Sequence, residues 1–349
     1  MIGYDDMKTS DFDYQLDDNL IADVPPDIRG TSRLLALNKK TGEYSDGQYT
    51  DLIDFLHPGD VLVLNDTKVI KARITAQKAN GATRELILIE KHGTTDDWHY
   101  HKVLYRKKIS KGDILTVGAY ALEVEEILGD GIAQIKSEKD LLELSQEIGT
   151  VPLPPYMRRE ATEQDIERYQ TVWADDAGSV AAPTASLNMT AEALREIEKK
   201  GIKVCYATLH VGLGTFLPIR VDDVATHTMH KEFFVLPKET ITSIRDAKKH
   251  NKRVFALGTT ITRTLEYNGD YIVSDDPAVD KHGDADIFIY PGYSFKVIDG
   301  LITNFHAPRS TVLMLTAAFA GWEHLLPAYN HATATHYSFL SYGDSMVIY

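Results

Sequence analysis

A histidine followed by two glycines is the segment of this chain best suited to chemistry. Residues 208–216 read TLHVGLGTF, with His210 just before the spaced pair Gly212 and Gly214. Residues 202–207 are apolar and partly β-branched, which predicts a buried strand ending near these glycines. Ligands of open α/β sheets bind outside the carboxyl ends of strands, where glycine allows a close backbone approach. His210 is therefore a candidate acid or base at the rim of a site, and a tight strand-to-loop turn is the alternative explanation.

Two further stretches place polar groups where a predicted strand is followed by a helix. GTTITRTLE, which starts at residue 258, carries the hydroxyls of Thr259 and Thr260 there. Free backbone N–H groups and the helix dipole favour an anion at such a position, although an ordinary threonine N-cap explains the same residues equally well. TNFHAPRST at residues 303–311 repeats the arrangement with His306 after the strand. Because imidazole titrates near neutral pH, His306 is a second acid–base candidate.

HTMHKE at residues 227–232 has a spacing that metal-binding motifs also use. Its histidines and Glu232 could ligate zinc by spacing alone. The sequence has one cysteine, Cys205, and no HExxH motif, so hydrogen-bonded histidines are the better explanation and no metal is expected. The sequence also lacks Walker-type and dinucleotide-binding glycine motifs, which argues against nucleotide hydrolases and nicotinamide enzymes. His230 with Glu232 is a third acid–base candidate.

Composition limits the class of protein. The 349 residues are 43% hydrophobic and 25% charged, as in soluble globular proteins, and they suffice for two domains. The longest apolar candidate, residues 312–322, has about half the length needed to span a bilayer, and the polar N-terminus is unlike a signal peptide. With a single cysteine, the chain is predicted to be cytoplasmic and to have no membrane partner.

The net charge of −14 is unfavourable for general nucleic-acid binding because phosphates are repelled on average. Two basic clusters could still supply a local basic face. Taken alone, each is better explained as solvated side chains on a strand edge or a helix face. The first cluster is Arg106, Lys107, Lys108 and Lys111, and the second is Arg245, Lys248, Lys249, Lys252 and Arg253.

Two changes of pattern along the chain predict its architecture. From residue 60 to about 137, short apolar or alternating runs are separated by Asn-Gly, Lys-Gly and Gly-Asp-Gly turns, which predicts a compact β-barrel. The prolines of VPLPPYMRR, from Val151, mark a boundary, and strands then alternate with helices. The predicted fold class is α/β, with a discontinuous layered α/β domain (1–59 and 151–349) and an inserted small β-barrel domain (60–150).

Individual elements of the α/β domain can also be predicted. Thr190 is a suitable N-cap for a helix that runs to Lys200 and stops at Gly201. Further helices are expected over 238–250 and 310–320. Strands are expected at 253–257, at 301–303 and at DIFIYPG, from residue 286.

Taken together, the motifs resemble the S-adenosylmethionine:tRNA ribosyltransferase-isomerase family of queuosine biosynthesis along nearly the whole chain. Strings of this length in the family's order are far more specific than any single motif. The family's fold, an α/β domain with an inserted β-barrel, agrees with the predicted one. The similar strings are DFDYQL from Asp11, SRLL from Ser32, GDVLVLNDTKVIKARI from Gly59, VPLPPYMRR from Val151, ERYQTVWA from Glu167, GSVAAPTA from Gly178, TLHVGLGTF from Thr208, HTMHKEFF from His227, GTTITRTLE from Gly258, FIYPGYSFKVIDGLITNFHAPRSTVLML from Phe288 and SYGDSM from Ser341.

The resemblance implies a reaction on one modified base. Such enzymes transfer and isomerise the ribosyl part of S-adenosylmethionine onto 7-aminomethyl-7-deazaguanine at the tRNA wobble position, giving epoxyqueuosine, adenine and methionine. The reaction requires a base beside the sulfonium, help for the departing adenine and a neutral amine held close. S-adenosylmethionine is the cosubstrate and carries the activating charge, so no metal is expected. The implied partners are this modified tRNA and S-adenosylmethionine, and a monomer is expected.

The same resemblance implies a set of site residues. Tyr169 and Gln170, followed by residues 178–185, are expected to shape the pocket for the base and the ribosyl group. The two threonines after residue 258, with Arg263, are expected to hold the methionine carboxylate or a phosphate. The catalytic candidates are His210, His306, His230 and Glu232. The substrate-binding candidates are Ser32, Arg33, Asn65, Asp66, Tyr169, Gln170, Ala182, Pro183, Thr184, Gly212, Gly214, Thr215, Thr259, Thr260, Arg263, Tyr290 and Asn304.

Three strings depart from the family's pattern. APTAGLHFT reads APTASLNMT, with Ser186, Asn188 and Met189 in place of glycine, histidine and phenylalanine, and asparagine does not shuttle protons at neutral pH. YRFFSYGDAM reads YSFLSYGDSM, with Ser338 for an arginine, and a KPAKR-like run reads LYRKK at 104–108. Two alternatives therefore stay open. One is a divergent paralogue that uses S-adenosylmethionine or a related nucleoside on a non-tRNA substrate, and the other is a catalytically silent tRNA-binding protein.

Overall fold

A mixed sheet and a closed barrel hold most strands of the computed structural model, which describes residues 7–95, 97–212, 214, 219 and 221–349. In chain order, the strands are β1 (Arg33–Leu37), β2 (Tyr44–Gln48), β3 (Val61–Asn65), β4 (Thr67–Val69), β5 (Arg73–Gln77), β6 (Thr83–Leu88), β7 (Tyr100–Arg106), β8 (Ile114–Val117), β9 (Tyr120–Gly129), β10 (Ile132–Ser137), β11 (Asp176–Ser179), β12 (Lys203–Leu209), β13 (Glu232–Leu236), β14 (Val254–Leu257), β15 (Lys281–Ala285), β16 (Gly300–Asn304) and β17 (Ser345–Ile348). The helices are α1 (Leu141–Ile148), α2 (Glu163–Arg168), α3 (Ala191–Lys199), α4 (Lys238–Lys249), α5 (Thr259–Tyr267), α6 (Gly269–Ile272), α7 (Thr311–Ala320) and α8 (Trp322–Ala334).

The larger sheet has the strand order β15-β13-β12-β3-β14-β16-β17-β1-β2 in the described residues. At its centre, β12, β3, β14 and β16 run parallel to one another, and β17 is antiparallel to β16. Alternate residues of the central strands belong to two separate cores, one on each face. In β3, Val61 and Val63 contribute to one core, whereas Leu62 and Leu64 contribute to the other. Helices cover the sheet, as expected when both faces are apolar.

Strand β3 corrects one part of the sequence analysis. The pattern from residue 60 predicts barrel strands, but Val61–Asn65 pairs with β12 and β14 inside the larger sheet. All five of its residues are buried. A short, continuously apolar run is typical of a central parallel strand with both faces covered, so the absence of alternation is the informative feature.

The second correction concerns the strand predicted from residue 286. Strand β15 occupies Lys281–Ala285 instead, and it pairs antiparallel with β13. Ala285 lies opposite Glu232, which is the first residue of β13. Residues beyond Ala285 therefore have no partner strand to continue the ladder. The apolar residues of 286–290 are used for packing without forming a strand.

Strands β5 to β10 form a closed barrel in the order β10-β7-β6-β5-β8-β9. Its interior is filled by the alternating apolar residues of these strands, as expected for a small barrel. Helix α1 is N-capped by Asp140, and its Leu141 and Leu144 are buried in the same core. The predicted α/β class with an inserted barrel is confirmed, whereas the division of the chain into domains at residues 60 and 150 stays a prediction.

The barrel connects to the carboxyl-terminal edge of the larger sheet. The chain leaves β3 there and forms β4, which pairs in parallel with β11. At the barrel's base, Arg73 and Thr150 exchange two backbone hydrogen bonds of 3.0 and 2.9 Å. Gly149 is needed at this closure because a Cβ atom there would lie 2.1 Å from the carbonyl oxygen of Lys71. The inserted segment therefore begins and ends at one point beside the sheet edge.

Candidate functional site

A cavity of about 470 Å³ lies at the carboxyl ends of the central parallel strands. This is the edge at which α/β sheets bind ligands. Its volume is in the usual range of small-molecule sites, about 300–1,000 Å³. The walls are formed by residues 181–185, 258–260, 303–304 and 306–312, together with Tyr156, Val211, Ile219, Leu340 and Ser341.

Two helices begin at the cavity wall. Gly258 precedes α5 with φ of +96°, a conformation that glycine adopts without strain, and no described side chain caps this helix. Helix α7 is capped by Ser310, whose hydroxyl accepts a hydrogen bond from Leu313 N at 3.2 Å. The start of α5 therefore presents backbone N–H groups and the positive end of the helix dipole beside Thr259 and Thr260.

His306 lines this cavity and is held on several sides. Its Nε2 lies 2.9 Å from Thr303 Oγ1, and its backbone N–H donates to the Tyr329 hydroxyl at 3.1 Å. Its carbonyl oxygen accepts a hydrogen bond from the Tyr14 hydroxyl. Burial lowers the pKa of His306 to about 3, so the ring is neutral at physiological pH. The expectation that His306 titrates near neutral pH is therefore wrong.

His210 is fully buried and lines neither this cavity nor the smaller one beside it. Its Nδ1 lies 2.8 Å from Thr67 Oγ1, and its Nε2 lies 3.9 Å from an Asp176 oxygen. The ring also stacks on Phe233, with centroids 6.2 Å apart. Its neighbour Val211 does reach the larger cavity. His210 therefore lies behind the cavity wall, between the barrel base and the sheet.

The smaller cavity, of about 50 Å³, adjoins the first, with Thr259, Thr260, Thr311 and Val312 lining both. Its wall includes the predicted residues Gly214, His230, Glu232 and Arg263. His230 is exposed, whereas the other histidine of the motif, His227, contacts Phe288 edge-to-face. A ligand at the shared threonines would therefore be within reach of residues from both cavities.

Glu232 and Arg263 form a buried ion pair beneath the smaller cavity. The second Glu232 oxygen accepts a hydrogen bond from Gly212 N at 3.1 Å. Arg263 also donates to the carbonyl oxygens of Ala285 and Ile287, at 3.2 and 3.3 Å. All three guanidinium nitrogens of Arg263 donate to protein acceptors, so its charge is compensated mainly within the protein, and the expectation that it holds an anionic ligand stays a prediction. Glu232 is likewise an internal partner of Arg263.

Asn65 ties the strand ends together below the cavity. Its Nδ2 donates to Leu209 O at 3.0 Å and to Thr260 Oγ1 at 3.3 Å. Its Oδ1 accepts from the backbone N–H groups of Thr67 and Leu209, both at 3.1 Å. The neighbouring Asp66 accepts from Thr208 Oγ1 at 2.6 Å, and burial raises its pKa. Both residues position the site and do not line it.

The remaining predicted residues divide into three groups. Lining the larger cavity are His306, Ala182, Pro183, Thr184, Thr259, Thr260 and Asn304. Lining neither cavity are Ser32, Arg33, Asn65, Asp66, Tyr169, Gln170, His210, Gly212 and Tyr290. Thr215 lies outside the described residues. Tyr169 is buried against Tyr342, and the Gln170 side chain hydrogen-bonds both backbone groups of Val69, so these two support the wall from behind.

Sequence reasoning did not single out several polar residues of the larger cavity, among them Tyr156 and Ser341. Their hydroxyls hydrogen-bond to each other, and Ser341 N donates to the tyrosine oxygen at 3.2 Å. Burial raises the pKa of Tyr156 to about 12. Both belong to strings that carry the family resemblance, VPLPPYMRR and SYGDSM. Their contact across the chain could not be found from spacing, so the strings themselves were the only signal.

Among the departures from the family's pattern, Ser186, Asn188, Met189 and Ser338 lie outside both cavities, whereas Leu340, which stands where the family's string has phenylalanine, lines the larger one. Asn188 is buried, donates to Gly343 O and Ser345 Oγ at 2.9 and 3.0 Å, and accepts from Ser32 Oγ at 2.7 Å. Met189 is fully buried in the core. Ser338 N donates to Asp344 Oδ2 at 2.8 Å within a tight turn. Asn188, Met189 and Ser338 are therefore integrated into the fold and are not part of the cavity surface.

Among the described residues, no group of three histidine, cysteine, aspartate or glutamate side chains is arranged to hold a metal ion. Within the same part of the chain, no helix combines the length and apolarity needed to cross a membrane.

Comparisons with known proteins agree across the whole chain. A family model described as queuosine biosynthesis protein matches residues 9–348. A protein of Chlorobium phaeobacteroides named S-adenosylmethionine:tRNA ribosyltransferase-isomerase is 53% identical over 344 residues, covering 98% of this chain and 100% of its own. A protein of the same name from Francisella tularensis is 46% identical, with 98% and 99% covered. The solved structure of an S-adenosylmethionine tRNA ribosyltransferase from Thermotoga maritima is 33% identical, with a TM-score of 0.56, covering 97% of this chain and 100% of that one.

Proposed function

The chain belongs to the queuosine biosynthesis protein family, and from that premise we propose that its reaction takes place in the larger cavity. The chain is an S-adenosylmethionine:tRNA ribosyltransferase-isomerase, as its relatives are over their full length. The proposed position of the active site rests on one observation, a ligand-sized cavity at the carboxyl ends of the parallel strands. The proposed substrates are S-adenosylmethionine and a tRNA with 7-aminomethyl-7-deazaguanine at the wobble position.

The cavity offers complementary contacts for S-adenosylmethionine. The uncapped start of α5, with Thr259 and Thr260, suits the methionine carboxylate because backbone N–H groups and the helix dipole favour a negative charge. Asn304 is buried, and its Nδ2 is directed at the carbonyl oxygens of Gly343 and Asp344. Its Oδ1 has no hydrogen-bond partner among the described residues. We assign this oxygen to the ammonium group or a ribosyl hydroxyl, either of which would satisfy it.

His306 is assigned the role of a neutral hydrogen-bond donor. A base whose conjugate acid has a pKa of about 3 accepts protons poorly at neutral pH. Thr303 is buried, and its hydroxyl has only His306 Nε2 as a hydrogen-bond partner in the described structure. If the hydroxyl donates to Nε2, the ring proton is on Nδ1, where it can stabilise the departing adenine or a ribosyl oxygen.

The base is assigned to His230. His210 is enclosed behind the wall, whereas His230 is exposed at the smaller cavity and adjoins the shared threonines. An accessible imidazole suits proton removal beside the sulfonium because it can reach a substrate bound at the shared threonines. Tyr156 and Ser341 add two further hydroxyl groups to the wall of the larger cavity.

The test is adenine release from S-adenosylmethionine, measured by chromatography with and without the modified tRNA. We expect release that depends on the tRNA, and a loss of about 10²-fold or more in kcat for His306→Gln and His230→Gln. His250→Gln is the matched control because His250 is exposed and its ring contacts a backbone carbonyl of its own helix. A folded His306 or His230 variant that keeps turnover within about threefold of the original would remove that residue from the mechanism.

We further propose that the enzyme acts in the cytoplasm as a monomer and without a metal. S-adenosylmethionine supplies the activating charge of the reaction when it is bound. Adenine release should therefore be unchanged by a chelator, and the mass in solution by light scattering should be that of one chain. Loss of activity with EDTA that zinc or magnesium restores would contradict the metal-free assignment.

A further inference from the structure

The turn at the outer end of the barrel gathers exposed positive charge. Strand β7 ends at Arg106, which lies opposite Glu85 of β6, and the chain then turns through Lys107, Lys108 and Lys111. All three lysines are exposed. We call residues Arg106–Lys111 the barrel tip.

The two basic clusters found in the sequence differ in how far they are neutralised. In the second cluster, Arg253 pairs with Asp60 at 2.6 Å, and Lys248 lies 3.7 Å from Asp299. Arg245 of that cluster donates to three backbone carbonyls. Two of the five charges of the second cluster are therefore paired with carboxylates, and the guanidinium of Arg245 is engaged by the backbone, whereas Lys249 and Lys252 form no ion pair with a described residue.

The barrel tip keeps its charge available. Arg106 pairs with Glu85 at 3.2 Å, but the three lysines form no ion pair with any described residue. The whole chain has a net charge of −14 and repels a polyanion on average. The most favourable electrostatic interaction with a polyanion is therefore expected where positive side chains have no acidic partner. The tip is such a place.

The tip is also held in one shape. Ile109 is buried in the barrel core between the exposed lysines. Ser110 N donates to Asp113 Oδ2 at 2.8 Å, and Gly112 N donates to Val124 O at 2.8 Å. Such a turn presents its ammonium groups without first having to be ordered, which reduces the entropic cost of binding.

The position of the tip suits a large substrate that covers the cavity. The chain enters the barrel from the carboxyl end of β3, which is the sheet edge that holds the cavity. The opposite end of β6 lies at the barrel base. Just beyond it, Lys91 N donates a hydrogen bond to Gly178 O at 2.9 Å. The six residues of β6 span roughly 20 Å at about 3.3 Å per residue, so the tip stands about that far from the base.

We propose that the barrel tip binds phosphates of the tRNA backbone at a distance from the modified base. This inference rests on the proposed function, because it needs the wobble base to enter the cavity while the rest of the anticodon arm extends along the barrel. Lysines that contact phosphates contribute sequence-independent affinity that weakens with salt. The tip therefore contributes to tRNA affinity and not to the chemical step.

The experiment compares Lys107→Gln/Lys108→Gln/Lys111→Gln with the original enzyme. KM for the modified tRNA should rise about tenfold or more, while kcat and KM for S-adenosylmethionine stay within about twofold. The slope of log Kd for tRNA against log salt should fall by about 2–3, because each phosphate that a lysine neutralises accounts for about 0.7–0.9 of that slope. Lys248→Gln/Lys249→Gln/Lys252→Gln removes the same charge from the second cluster and should leave KM and the slope unchanged.

The outcomes separate this inference from the function on which it rests. A tip variant with the original KM for tRNA and the original salt slope overturns the role of the tip. An equal loss in both triple variants also overturns it, because the effect is then one of net charge. If the original enzyme does not release adenine in a tRNA-dependent way, the proposed function fails first. Melting temperatures equal to that of the original enzyme will establish that each variant is folded.

Discussion

At the scale of single residues, burial decides what His306 can do. Free imidazole titrates near pH 7, which makes this histidine a candidate from the sequence, but its surroundings hold it neutral. In the unfolded chain the same ring binds a proton below a pKa of about 6.5. Between about pH 6.5 and 3 the unfolded state therefore binds more protons than the folded state, and acidification favours unfolding.

The first prediction follows from this difference. Between pH 6 and 4, the free energy of unfolding of the original protein should decrease more steeply than that of His306→Gln. The difference should approach about 1.4 kcal/mol per pH unit, the limit for one proton. Urea denaturation at several pH values measures it. Parallel curves for the two proteins would show that His306 is protonated in the folded state or is not buried in solution.

The second prediction concerns Asn188, which replaces a histidine of the family's string. Its three hydrogen bonds join Ser32, Gly343 and Ser345 inside the fold. Asn188→Ala leaves buried polar partners unsatisfied, so it should cost about 1–3 kcal/mol of unfolding free energy. KM for S-adenosylmethionine should stay within about twofold because Asn188 lines neither cavity. A large rise in KM without loss of stability would place Asn188 in the site after all.

Some residue roles could be predicted from the sequence and others could not. Thr259, Thr260 and His306 line the cavity because each follows a strand, and this position can be inferred from the pattern of apolar residues. The Arg263–Glu232 pair could not be inferred, because it depends on how α5 packs over β13. Whether an arginine faces a ligand or a carboxylate of its own chain is decided by tertiary contacts.

At the scale of elements, the Arg263–Glu232 pair joins helix α5 to strand β13. Helix α5 also begins at the cavity, so the pair helps to fix the position of its uncapped end. A buried pair is costly to break from one side because the remaining charge is left without compensation.

The third prediction is therefore a double-mutant cycle. Glu232→Gln or Arg263→Gln alone should lower the free energy of unfolding by about 3–5 kcal/mol. The double variant should cost at least about 1 kcal/mol less than the sum of the two singles, because it leaves no lone buried charge. Urea denaturation of all four proteins measures the coupling. Strict additivity would indicate that the two charges do not interact energetically.

Helices with a capping residue and a clear apolar face were predictable as elements. The helix expected from Thr190 is α3, and Thr190 Oγ1 accepts from Ala193 N as its cap. The pattern places strand β3 in the wrong sheet because a short apolar run does not indicate which strands it joins. The prediction of a strand from residue 286 was wrong for a related reason. The strand that forms instead, β15, ends at Ala285 because its partner β13 begins at Glu232. Partner strands are a property of the fold and are not encoded locally.

At the scale of the whole molecule, a histidine joins the barrel to the far edge of the larger sheet. His92 follows β6 and lies 2.9 Å from an oxygen of Asp284 in β15, and 3.4 Å from Glu90. The carboxylate of Glu90, and then that of Asp284, raises the pKa of His92. The contact therefore stabilises the folded state at low pH and loses its effect as the pH rises through the raised pKa.

The fourth prediction concerns the pH dependence of this stabilising contact. Asp284→Asn should lower the melting temperature most at pH 6, and its effect should diminish towards pH 9 as the pH rises through the raised pKa of His92. Asp286→Asn is the matched control, because it removes an exposed aspartate two residues away. Differential scanning fluorimetry at the two pH values provides the comparison. An equal effect of Asp284→Asn at both values would show that the contact does not depend on the charge of His92.

The overall architecture was predictable from the order of patterns along the chain. A β-rich block set inside alternating strands and helices indicates an inserted barrel, and the barrel is present. The barrel tip is visible as a basic run, but its charge could not be separated from that of the second cluster without the ion pairs of the folded chain. The positions of charged residues can be inferred from the sequence, whereas the ion pairs that neutralise them depend on the folded structure.

The closure at Arg73 and Thr150 has a consequence for engineering. Because the segment leaves and re-enters at one point, the barrel can in principle be excised and exchanged as a cassette with that of a relative, leaving the sheet continuous. A graft of this kind must retain Gly149, since any side chain there collides with the backbone of Lys71. Chimaeras joined at this point would reveal whether preference among tRNAs is transferred with the cassette or stays with the sheet.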